Sequence, residues 1–162
     1  DILAGNASSR FDKNLVRGKQ TALNAGTHYD IISREMPLFS VMAMPAEGVK
    51  TDTLIAQLRQ EIKDIADNGV SEEELQRVKT QAAVNEIYAK DSMSSQASMM
   101  GRLEARGFQY TDEQEIHRRL QAVSAQEIQA AARMLTDERM STVIIEPQKT
   151  AAAPSKKAAK RR

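Results

Sequence analysis

The sequence predicts an α+β domain in which an antiparallel sheet packs against several helices. Two segments in the first third of the chain have the apolar and β-branched character of strands. The stretch after residue 50 has helical periodicity and repeated helix-capping sequences, and a short β-branched segment follows near the C-terminal end. This order of helix, two strands, a long helical stretch and one strand is typical of an α+β domain.

The N-terminal elements are a helix and a strand pair. Residues 1–19 place apolar side chains at roughly helical spacing, which predicts one or two short helices ending near Gly18. Residues 20–33 and 38–44 are rich in strand-forming residues, and the short segment 34–37 between them ends in a proline. Because the connection is short, we expect the two strands to pair in antiparallel fashion.

The helical stretch begins with residues 51–68, where one apolar stripe repeats every three or four positions and Gly69 follows as a C-terminal cap. The stripe consists of Leu54, Leu58, Ile62 and Ile65. Three further helices are predicted by a hydroxyl residue three positions before Glu or Gln, which is the capping-box pattern. These boxes are Ser71–Glu74, Thr111–Gln114 and Ser124–Glu127. The Met- and Ser-rich segment 92–106 is also predicted to be helical.

The end of the domain is a predicted strand at Val143–Ile145, bounded by Pro147. Three strands make a narrow sheet for so many helices, so we expect further strands upstream of Asp1 and a domain truncated at its N-terminus. The domain is assigned to residues 1–147, and residues 148–162 are assigned to a disordered basic tail because they lack any apolar period.

Composition excludes several functional classes. The net charge of +1 provides no field for nucleic acid, and the basic tail, which lacks aromatic residues, is a weak case for such binding. The absence of Cys excludes disulfides, a thiol nucleophile and Cys-based metal sites. No apolar run is long enough for a membrane span. We therefore expect neither nucleic acid nor a membrane span among the partners of this chain.

Several segments, in order, carry a resemblance to a known family. They are Ser8-Ser9-Arg10-Phe11, Leu15-Val16-Arg17, Ala46–Val49, Gly69–Lys79 and Ser124–Ile128. With these segments the chain resembles the pitrilysin-type zinc metallopeptidases, which include insulysin and the mitochondrial processing peptidases. The resemblance extends over roughly residues 1–147 and implies one half of a duplicated α+β fold.

The resemblance also implies where the zinc is. In the family, the first half carries a His-x-x-Glu-His helix that holds zinc, and the Glu between the His residues activates water. This chain contains only His28 and His117, and neither has a second His within helical reach. His117 follows Glu113 by four residues, a pattern more typical of a solvated pair than of a ligand set. We assign no metal site and no catalytic residue here, and we expect zinc in the partner half.

The second half of the family carries an Arg and, seven residues later, a Tyr that contact substrate. Arg17 stands at the Arg position, but Asn24 stands where the Tyr is expected. The resemblance therefore implies substrate-binding roles for Arg17 and Asn24, with an amide in place of the aromatic ring. A structural alternative for Arg17 is a cation favoured at the end of a helix.

The leading hypothesis is the non-catalytic C-terminal domain of a zinc endopeptidase, inactive alone, which encloses the cleft and helps to bind an extended peptide. Its partners would be the peptide and a zinc-binding N-terminal half or partner subunit. The alternative is an inactive scaffolding homologue that mediates protein assembly. Bacterial relatives imply a periplasmic location.

Overall fold

The computed structural model describes residues 1–135 and 137–146. It has a π-helix, two strands, five α-helices and a short 3-10 helix in these ranges. The π-helix is Asp12–Gly18, the strands are β1 (Ala22–His28) and β2 (Ser40–Pro45), and the helices are α1 (Thr51–Asn68), α2 (Glu72–Lys90), α3 (Met93–Ala105), α4 (Asp112–Ala122), α5 (Ala125–Arg133) and the 3-10 helix Asp137–Arg139. The predicted α+β class is confirmed.

The sheet is an antiparallel pair of β1 and β2, as predicted. Both strands are shorter than the predicted segments, and the connection runs from residue 29 to residue 39. The connection is held by polar contacts to the C-terminal cap of α3, because Arg106, which follows the helix directly, donates hydrogen bonds to the Asp30 carboxylate and, at 2.7 Å, to the Ile32 carbonyl.

The main core lies between the sheet, the π-helix, α1 and α5. Three residues of the predicted α1 stripe are buried, and Leu58 packs against them. The buried cluster consists of Leu3, Ala4, Phe11, Leu15, Ala22, Leu54, Ile62, Ile65 and Ala132. Gly69 ends α1 with a φ of 75° and donates its N–H to the Ile65 carbonyl, as a glycine cap does.

The predicted capping boxes differ in how far they form. Ser124 and Glu127 make both reciprocal bonds, and Ser71 accepts the Glu74 N–H at 3.1 Å. Thr111 makes no capping bond, because Asp112 instead accepts the Gln109 N–H at 2.8 Å and closes the turn before α4.

The predicted strand at Val143–Ile145 is wrong for the described chain. Residues 141–146 adopt no strand, and the side chains of Val143, Ile144 and Ile145 are exposed. A β-branched run becomes a strand only when a sheet edge pairs with it, and neither β1 nor β2 does so here. The predicted tail, residues 148–162, lies outside the described residues.

Candidate functional site

The π-helix sets the position of Arg17. Its backbone is wound so that the Lys19 N–H reaches the Asn14 carbonyl, five residues back, at 2.8 Å. A Cβ at Gly18 would lie 2.8 Å from the Lys13 carbonyl oxygen, so this winding requires glycine there. Short π-helical segments are rare in proteins, and those that do occur are often found at functional sites. The predicted end of this helix near Gly18 is confirmed. The sequence did not predict that the helix is wound as a π-helix.

Arg17 lines a polar cleft between the π-helix and the start of α2. The cleft has a volume of about 780 Å³, and Lys13 and Arg77 also line it. The Arg17 side chain is 57% exposed, and its Nε lies 3.6 Å from the Asp12 carboxylate. A guanidinium held this loosely keeps most of its donors in solvent, where they can reach a ligand.

Arg10 lines the same cleft, but all three of its guanidinium nitrogens donate hydrogen bonds within the protein. It donates to both oxygens of the Glu74 carboxylate at 3.0 and 2.9 Å, to Asp64 at 2.6 Å and to the Gly69 carbonyl at 3.2 Å. The hydrogen bonds to Glu74 are the main reason why the pKa of Arg10 is raised above its usual value. Arg10 therefore ties the π-helix region to the junction between α1 and α2, and this structural role explains its place in the sequence signature.

Asn24 lies on β1 beside a bulge. Ala22 pairs with Pro45 and Asn24 pairs with Met44, so the register shifts at Leu23. Ala22 and Ala25 both pack on the core although they are three residues apart, which a regular strand would not allow. The bulge resolves this conflict and leaves Leu23 and Asn24 both exposed.

The outer face of the strand pair is defined by this register. The face carries Leu23, Asn24, Gly26 and His28 from β1 and Ser40, Met42 and Met44 from β2. Opposite residues of an antiparallel pair share a face, and here Asn24 is opposite Met44, Gly26 is opposite Met42 and His28 is opposite Ser40. The apolar members Leu23, Met42 and Met44 are 60%, 63% and 52% exposed.

The two predicted substrate residues occupy different elements, and no hydrogen bond connects them among the described residues. Arg17 lines the cleft, whereas Asn24 belongs to the outer face of the sheet and is not a cleft residue. Tyr29, the nearest tyrosine along the strand, lies just past β1 with its ring centroid 6.5 Å from that of Phe39. The roles of Arg17 and Asn24 in substrate binding stay predictions.

The histidines occupy separate places. His28 is exposed on the outer face, and His117 lies between two carboxylates, with Nδ1 3.3 Å from Glu86 and Nε2 3.8 Å from Glu113. The sequence indicated the Glu113 contact but not Glu86, which belongs to α2 and is brought close only by the fold. The Lys90 hydrogen bond, followed by the charge of His117, lowers the pKa of Glu86. Within residues 1–135 and 137–146, no three acidic, His or Cys side chains are grouped so as to hold a metal ion.

The fold and this arrangement define an α+β domain with a polar cleft at its π-helix and an exposed outer face on its strand pair. Residues 1–82 match the family described as the peptidase M16 inactive domain. The match covers more than half of the chain, so the protein belongs to this family, and the resemblance predicted from the sequence is confirmed. No curated protein matches the chain.

Solved structures share the fold. A protease from Helicobacter pylori superimposes with a TM-score of 0.73 at 16% identity, covering 82% of this chain and 32% of that one. A candidate zinc protease from Bordetella pertussis Tohama I superimposes with a TM-score of 0.67 at 19% identity, covering 81% of this chain and 71% of that one. The chain thus spans about a third of the Helicobacter protein. None of its helices in the described ranges combines the length and apolar character needed to cross a membrane.

Proposed function

We propose that this chain acts as the non-catalytic half of a zinc endopeptidase and helps to hold an extended peptide substrate. The zinc and the water-activating Glu would belong to a zinc-binding half, on the same polypeptide or on a partner subunit. Membership in a family described as an inactive domain supports this division of labour. The chain alone is then expected to cleave no peptide.

The observation that carries the proposal is the availability of the Arg17 guanidinium. The guanidinium of Arg10, which lines the same cleft, is hydrogen-bonded to two carboxylates and a carbonyl. Arg17 has one long ion pair, with Asp12 at 3.6 Å. An arginine fork can donate two parallel bonds to a carboxylate, and its N–H groups can also donate to a peptide carbonyl oxygen. Asn24 would add an amide that can both donate to and accept from a peptide backbone.

The test is an assay of peptide cleavage by the complex of this chain with its zinc-binding half, in which Arg17→Ala is compared with Arg118→Ala. Arg118 is a matched control because it is also exposed, but it pairs with Glu115 on α4, away from the cleft. We expect Arg17→Ala to lower kcat/KM by about tenfold, the value of one lost charge-assisted bond. Arg118→Ala should leave kcat/KM unchanged.

Equal activity of the two variants, with both folded by circular dichroism, would exclude Arg17 as a substrate contact. If no zinc-binding half copurifies with the chain and none is encoded beside it, the scaffolding role replaces the peptidase role. We also propose a periplasmic location, which fractionation of the native cells by osmotic shock would test.

A further inference from the structure

The outer face of the strand pair contains a glycine that the fold itself does not require. Gly26 lies in the middle of β1, and it is not among the glycines with a positive φ. A Cβ built at Gly26 would meet no atom within 4 Å, so packing does not exclude a side chain either. The bulge of β1 lies at Leu23 and Asn24, not at this position.

A glycine inside a strand weakens the strand, and it often marks a place where a ligand or another backbone approaches closely. Here it leaves a gap on the outer face between Asn24 and His28, with Met42 directly opposite. We call these four residues the Gly26 notch. Along β1, outward side chains recur every two residues, which corresponds to about 6.8 Å. Asn24 and His28 are therefore about 14 Å apart along the strand, and one side chain of an extended peptide, which has the same repeat, can lie between them over Gly26.

The chemistry of the face indicates which side chain would enter. None of its seven residues is Lys, Arg, Asp or Glu, and the residues nearest to Gly26 on the face, Asn24 and Met42, cannot neutralise a charged group buried there. Leu23, Met42 and Met44 offer exposed apolar surface next to the gap, and methionine adapts its shape to different apolar groups. Asn24 and His28, at the two ends, can bond to a peptide backbone on either side.

We propose that the Gly26 notch is a subsite for one uncharged, apolar side chain of an extended peptide. The inference rests on the proposed function, because it seats the peptide on the face that carries Asn24. It adds a selectivity that Arg17 and Asn24 do not provide, since they recognise backbone or terminal groups that every peptide has.

The experiment measures binding of two blocked ten-residue Gly/Ser peptides to the full chain by fluorescence anisotropy, one with Leu and one with Asp at its centre. We expect the chain to bind the Leu peptide about tenfold more tightly, which corresponds to partial burial of one Leu side chain. Gly26→Val should abolish this preference by filling the notch. Gly101→Ala on α3, where an added Cβ also meets nothing within 4 Å, is the control and should retain it.

A second pair of variants covers the case in which Gly26→Val fails to fold. Met42→Ala removes apolar surface opposite Gly26 and should reduce the preference, whereas Met93→Ala, at a methionine on α3 that is also exposed, should not. The proposal is overturned if both peptides bind equally, or if Met42→Ala and Met93→Ala behave alike. It is also overturned if sedimentation shows a dimer that Met42→Ala dissociates, because the face would then bind a second copy.

The same peptides distinguish this proposal from the function on which it rests. If cleavage by the complex depends on Arg17 but Gly26→Val leaves the choice between Leu and Asp unchanged, only the notch assignment fails. If the chain prefers the Leu peptide but Arg17→Ala has no effect on cleavage, the assignment of Arg17 fails and the notch assignment stands.

Discussion

The N-terminal region and the region of α2 to α4 are held together by different forces. The main buried cluster is drawn from the N-terminal segment, the π-helix, β1, α1 and α5. Along α2, α3 and α4 the buried apolar residues are Leu75 and Leu103, and α4 has none. The same helices expose Ile87, Tyr88, Met93 and Leu120.

In the region of α2 to α4, polar contacts supply much of the contact between elements. Arg106 anchors α3 to the β1–β2 connection through Asp30 and Ile32. His117 on α4 meets Glu86 on α2, and Gln121 donates to the Lys79 carbonyl at 3.0 Å. Partly exposed polar contacts of this kind stabilise less than apolar burial does. The family match, residues 1–82, covers most of the apolar region and ends within α2, so the recognisable sequence coincides largely with the buried one.

The largest effect should come from the apolar core. Leu15→Ala removes a side chain that is fully buried at the centre of the π-helix, and we expect it to lower the free energy of unfolding by about 2–5 kcal/mol. Leu120→Ala, on the exposed part of α4, should cost less than about 1 kcal/mol. Urea denaturation followed by circular dichroism measures both. Similar losses for the two variants would show that the second region is packed as tightly as the first.

A smaller effect is expected where the two regions meet. Arg10→Met leaves the Glu74 carboxylate half-buried without its partner, and we expect a loss of about 1–3 kcal/mol. Lys63→Met is the control, because Lys63 pairs with Asp67 on the exposed side of α1 and should cost at most about 0.5 kcal/mol. Denaturation midpoints of the two variants decide the comparison. If Arg10→Met is as stable as Lys63→Met, the Arg10 cluster is not what joins α1 and α2 to the π-helix.

The difference between elements that pack on the apolar core and elements that do not also explains how much of the fold could be predicted from the sequence. The bounds of α1 and its Gly69 cap were predicted correctly because burial against a core imposes a visible apolar period. The strand at Val143–Ile145 was predicted wrongly because β-branched residues indicate a preference and not a partner, and no sheet edge meets them in the described chain. The residues that form the outer face of the sheet could not be predicted, because they depend on the bulge at Leu23, and no glycine or other turn residue there indicates a bulge.

The site was predictable only in part for a related reason. Arg17 and Asn24 followed from a resemblance and from their spacing along the chain. Their separation into a cleft and a sheet face depends on π-winding at Gly18 and on the bulge at Leu23. The role of Arg10 was also hidden, since Asp64 and Glu74 lie more than fifty residues away in sequence and meet it only in the fold.

The smallest effect should be a pH dependence of the thermal stability that the contact between Asp30 and Arg106 provides. The hydrogen bond from Arg106, and then that from the Ile32 N–H, lowers the pKa of the Asp30 carboxyl. A carboxyl whose pKa is lowered by folding stabilises the fold above its unfolded pKa, about 3.9, and this contribution disappears as the pH falls toward the lower folded value. Asp30→Asn should therefore lower the thermal midpoint slightly at pH 6 but not at pH 2. Asp91→Asn, at the exposed end of α2, is the control and should show no such difference. A deficit of the Asp30 variant that is the same at both pH values would mean that the Asp30 charge does not hold α3 to the β1–β2 connection.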